Sequence, residues 1–177
     1  LVGSEMCIRD RLTPSEVASV LGGTGWHICN FSYNFTINSN GTVTIRFFNG
    51  TTAIYPLSSV PYCIEIPKSP PAKYGTVEMI RGYINHNLTT VEVGYAVFST
   101  PSAAASAYSQ ALSGSAPGKE TMGAGPNTSV MYWCVGVGYY GSAILAHSGD
   151  AFYGVSVSIT YYIGVSQLKT LLQDVIS

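Results

Sequence analysis

The 177-residue chain carries 8 basic and 9 acidic side chains, a net charge of −1, and 10 % charged residues against about 25 % in an ordinary soluble domain. No basic patch is present to neutralise a phosphate backbone, which argues against nucleic acid as a partner. The length suits one domain with its own core, and Ser, Thr, Asn and Tyr supply the polarity that charge does not, a neutral surface common outside cells.

The chain opens LVGSEMCIRD, followed by Arg11. It has neither the basic start nor the apolar run of a signal peptide. It matches one reading frame of the transposase adapter used to make sequencing libraries. Residues 1–11 are therefore expected to be a non-native, adapter-derived segment. Residues 12–177 are expected to form a single exported domain whose true N-terminus is missing. Removing Glu5, Asp10, Arg9 and Arg11 leaves the net charge unchanged.

LTPSEVASVLGG predicts a short helix. Thr13 is the N-cap, Pro14 the first helical position, Glu16 completes a capping box, and Gly22 and Gly23 end it. WHICNFSYNFTI alternates as a strand, and SNGT turns it into TVTIRFF, giving a hairpin. NGTT leads into a short strand, AIYPL. Residues 58–73, with Pro61, Pro67, Pro70 and Pro71, read as a loop that Cys63 could pin. TVEMIRGYI and TVEVGYAVF are two further strands. STPSAAASAYSQALSG is a second helix, capped by Thr100, started by Pro101 and ended by Gly114. GSAPGKETMGAGPNTS reads as a mobile loop.

Val130 to His147 carries no formal charge over 18 positions, long enough to span a membrane. Its glycines and aromatics instead favour two buried strands, MYWCVGVGYY and SAILAHS. HSGDAF is a turn, AFYGVSVSITYY a strand with Val155, Val157 and Ile159 on one face, and GVSQLKTLLQDVIS a final amphipathic helix. The order predicts an α+β fold: one twisted antiparallel sheet with about three helices packed on a face.

Six of the eight asparagines stand in N-x-[ST] sequons: Asn30, Asn34, Asn40, Asn49, Asn87 and Asn127. This frequency predicts an N-glycosylated, exported protein, of archaeal or eukaryotic source. The adapter match points to an environmental, metagenomic assembly, and so towards archaea. Outside the cell two of Cys29, Cys63 and Cys134 are expected to pair, and sequence does not choose which. GVGYYG matches G-x-G-x-x-G but is followed by strand rather than helix, so it reads as glycines beneath packed aromatics. His147, Ser148 and Asp150 lie too close in one turn for a catalytic triad. His27 and Cys29 form the best of a weak set of metal ligands with His86, Cys134 and His147. No metal and no cofactor are expected.

From LTPSEVASVLG through VPYCIEIP, VEVGYAVFSTPSAAASAY, YWC and GDAFYGVSVSI, residues 12–177 resemble the extracytoplasmic sensor-type domains of PknH-like bacterial receptor kinases and related lipoproteins. The resemblance implies an exported, disulfide-bonded α+β domain that binds a ligand in a cleft. The expected function is thus a non-catalytic ligand-binding or sensor-like domain, extracellular or at the cell surface. Its partner would be a small molecule or a surface glycan or protein, and a missing N-terminal anchor its one link to a membrane. Trp26, Tyr83 and Trp133, on the concave side of the sheet, are the expected ligand-binding residues. The alternatives are a structural subunit of a surface layer or filament, built by edge-strand exchange, and a secreted hydrolase.

Overall fold

The computed structural model describes residues 11–176, so nearly all of the adapter-like segment lies outside the described residues. Helix α1 (Pro14–Leu21) is followed by strands β1 (Thr24–Ile28), β2 (Tyr33–Ile37), β3 (Thr42–Phe47), β4 (Thr52–Pro56), β5 (Tyr74–Ile84) and β6 (Asn87–Val97). Then come α2 (Pro101–Ser113), β7 (Glu120–Gly125), β8 (Thr128–Gly136), β9 (Tyr139–Ser148), β10 (Ala151–Ile159) and α3 (Val165–Ile176). All ten strands join one antiparallel sheet in the order β4-β3-β2-β5-β6-β10-β9-β8-β7, with β1 also on β5. The α+β class and the single sheet are as the sequence predicts.

The caps explain the helix starts. Thr13 accepts the Glu16 N–H while the Glu16 carboxylate accepts the Thr13 N–H, and Gly22 closes α1 at φ +74°. Thr100 accepts the Ala103 N–H at the head of α2. The helices pack on both faces of the sheet, not on one as expected. Helices α1 and α3 cover Val91 and Val93 of β6 and Val155, Val157 and Ile159 of β10. Helix α2, through Ala104 and Ala107, belongs to a second core with Phe35, Val43, Ile45 and Phe98 on the opposite face. The core splits because alternate residues of a strand point to opposite faces and both carry apolar groups.

Two elements depart from the sequence reading. WHICNFSYNFTI is two strands, not one. It breaks at Cys29–Ser32, where Cys29 N–H bonds the Met79 carbonyl and the Ser32 hydroxyl accepts the Met79 N–H. β1 and β2 therefore share one edge of the 11-residue strand β5, β2 on its first half and β1 on its second. The expected loop at 114–129 contains β7, held by pairing with β8. The charge-free stretch forms the β8–β9 hairpin, turning at Val137–Gly138. Among the described residues no helix is long and apolar enough to cross a membrane.

The predicted disulfide is absent: Cys29, Cys63 and Cys134 are free thiols. Cys29 is buried beside β5, and Cys134 lies on β8, with β5, β6, β10 and β9 between. Five strand spacings make about 24 Å, far beyond the roughly 7 Å that a disulfide tolerates between Cα atoms. Cys63 stands exposed on the proline-rich strap instead of pinning it.

Candidate functional site

The site begins with strand alternation. On the face packed by α1 and α3, β6 and β10 present Val91, Val93, Val97, Tyr153, Val155 and Val157. On the other face the same strands present Glu92, Gly94 and Ala96 opposite Ser156, Gly154 and Phe152. The cross-strand pair Gly94–Gly154 leaves the middle of the sheet without side chains. A Cβ on Gly94 would meet nothing within 4 Å, whereas one on Gly154 would meet Leu145 Cδ2 at 2.9 Å.

The strap, residues 60–72, arches over this floor. Ile64, Ile66 and Ala72 anchor it in the second core. Tyr33 ties it at Glu65: its hydroxyl accepts the Glu65 N–H at 2.7 Å and donates to the Glu65 carbonyl at 3.1 Å. Between strap and sheet lies a cavity of ≈ 530 Å³, walled by Phe35, Ile64, Ile66, Val77, Leu145 and Phe152. A second, of ≈ 460 Å³, adjoins it and is walled by Phe31, Phe47, Tyr55, Pro61, Met79 and Arg81. Glu65 and Glu92 line both.

Those two carboxyls are the polar junction of a mainly apolar hollow. Glu92 is half-buried and its carboxyl is pushed up to about 7. Burial is the largest cause, followed by the like charge of Glu65 and by the hydrogen bond between the two carboxyls. Near neutrality the Glu92 carboxyl is therefore partly protonated. Burial likewise raises the Tyr33 hydroxyl and the Cys29 thiol. Arg81 stacks over the Phe31 ring at 5.2 Å, and its buried Nε has no hydrogen-bond partner.

The aromatic residues expected to bind ligand do not converge. Trp26 donates its indole N–H to the Gly22 carbonyl and lies over Gly82, where a Cβ would sit 2.5 Å from the ring. Tyr83 is exposed at the end of β5. Trp133, on β8, lies over its cross-strand partner Gly141. Each tryptophan fills the room a glycine leaves on the neighbouring strand. None of the three lines either cavity.

His27 and Cys29 also separate: His27 is exposed, with Nδ1 against the Gly25 carbonyl, while Cys29 is buried. His86 lies in the β5–β6 turn, and His147 packs its ring 4.8 Å from that of Tyr108. Among the described residues no three His, Cys, Asp or Glu side chains gather round a metal position.

The sequons fall mostly in turns. Asn30, Asn40, Asn49 and Asn127 are exposed, whereas Asn34 on β2 and Asn87 at the start of β6 are half-buried. Asn40 and Asn49 accept the N–H and hydroxyl of Thr42 and Thr51 respectively. These Asx turns give N-G-T a structural reason at both hairpins.

Glu65, Glu92, Gly94 and Gly154 were not singled out in the sequence. Their signal was present in VEVGYAV and YGVSVS: large residues on one face, and Glu, Gly, Ala and Ser on the other.

No protein-family model matches the chain, and no curated protein matches it in sequence. The chain is similar in fold to the extracellular domain of PknH from Mycobacterium tuberculosis, with a TM-score of 0.58 and 12 % identity over 94 % of this chain and 91 % of that one.

Proposed function

We propose that the chain is an exported, non-catalytic domain that binds a small organic ligand in the hollow between the strap and the sheet. The observation that carries this reading is the Gly94–Gly154 floor beneath the first cavity, joined to the second at one polar junction. Ligand sites are concave, largely apolar and supplied with a few placed polar groups. The fold likeness to an extracellular domain and the dense sequons support export and N-glycosylation. A hydrolase is disfavoured by the carboxyl pair itself. The two groups hydrogen-bond to each other, whereas glycoside hydrolysis holds its pair about 5–9.5 Å apart.

The test is a titration with the neutral fluorophore N-phenylnaphthylamine. Its emission is expected to rise on binding, and Gly94→Phe, which grows from the floor into the cavity, is expected to abolish the rise. Equal binding by the folded Gly94→Phe variant would refute the site. A second reading, a surface-layer or filament subunit, is favoured by the open sheet with β4 and β7 at its free edges. A sedimentation mass that grows with concentration would support it, and a monomer throughout would remove it.

A further inference from the structure

We propose that the twin cavity takes an organic cation with an apolar tail, its ammonium group seated between the Glu65 and Glu92 carboxyls and its tail along the Gly94–Gly154 floor. This rests on the reading of the hollow as a ligand site and adds the chemistry of the head group. Phe35, Val77 and Phe152 on one side and Phe47 and Tyr55 on the other offer a tail only apolar contact. The head group must therefore be matched at the junction, where both cavities meet the two carboxyls.

The groups around Glu92 leave that junction without a neutralising cation. Ser156 of β10 and Met79 of β5 stand across from it in the sheet. The Tyr33 hydroxyl of β2 is engaged by the backbone of Glu65. The strap contributes Glu65 and the thiol of Cys63, and β5 contributes Arg81, the only basic side chain lining either cavity among the described residues. Arg81 holds its guanidinium over the Phe31 ring. The proton on Glu92 thus stands where a cation would. An ammonium group brings N–H donors for both carboxyls and a charge that counts for more in apolar surroundings than in water. On binding near neutrality the proton leaves for solvent, and no other bond forms or breaks. An alcohol can donate to one carboxyl only. An alkanoate would add a third negative group, or would have to lodge at Arg81.

The experiment displaces N-phenylnaphthylamine from the full chain with decylamine, decanol and decanoate, at about pH 5.5 and about pH 8, either side of the Glu92 titration. At the higher pH decylamine is expected to act at about one-tenth the concentration of decanol. That advantage should shrink at the lower pH, where the amine must compete with the bound proton. Glu92→Gln should remove it while leaving displacement by decanol unchanged. Equal action by all three compounds, or strongest action by decanoate, would overturn the ammonium head group and leave the cavity reading intact. Displacement by none of them would overturn both. Should Glu92→Gln fail to fold, the pH dependence of the unaltered chain decides: an amine advantage that does not grow with pH sinks the proposal.

Discussion

Gly94 offers a way to test whether the floor is hollow. A glycine inside a strand costs about 0.5–1 kcal/mol relative to alanine, and each further methyl adds up to about 0.8 kcal/mol when fully buried. A Cβ on Gly94 points into open space, so the two extra methyls of Gly94→Val touch wall on one side only and earn about half that value. The sum is a stabilisation of about 1.5 kcal/mol, or a rise of about 3–6 °C in Tm for a domain of this size. Gly75→Ala is the control. Its Cβ would stand 2.2 Å from the Tyr95 carbonyl oxygen and 2.7 Å from the Phe35 ring, and the backbone cannot yield cheaply. That smaller change should cost about 2 kcal/mol or more. Thermal denaturation of both variants decides the matter. A Gly94→Val protein that melts as far below the parent as Gly75→Ala would mean that the floor is packed, and the cavity argument would fall with it.

Two further outcomes follow from the same geometry. The Glu92 carboxyl is raised from 4.5 to about 7 in the folded chain, so the fold holds the proton more tightly than the unfolded state does. Its contribution is full below about pH 4.5 and is lost as pH rises through about 7, an upper bound of about 3 kcal/mol. Urea denaturation should show stability falling over that window, and Glu92→Gln should flatten the fall; an unchanged profile would place the carboxyl in water. Thiol reagents should modify exposed Cys63 at once, while buried Cys29, its thiol also pushed up by burial, reacts only as the chain unfolds. A reduced chain and an untreated one that titrate differently would reinstate a disulfide.

Much of the architecture was legible because local chemistry and tertiary packing agree there. The caps at Thr13 and Thr100, the N-G turns and the alternation of Val155, Val157 and Ile159 each have a mechanism that acts within a few residues. What escaped depends on distant partners. Strand β7 is glycine-rich and exposed, and its order comes from pairing with β8 rather than from propensity. The break at Cys29 is set by Met79 on another strand. The aromatic residues drew attention because of their size, yet Trp26 and Trp133 compensate for glycines across the sheet. The hollow escaped because alternation was read for its apolar half alone. The quiet positions between, Glu92, Gly94 and Ser156, hold the candidate site.

Two sets of interleaved positions in β6 and β10 thus answer to separate demands. Those facing α1 and α3 must stay large to keep the scaffold standing, while Glu92, Gly94 and Ser156, on the strap side, carry little of that duty. Descendants of this chain could exchange one kind of guest for another by editing those three positions, leaving the framework that displays them untouched.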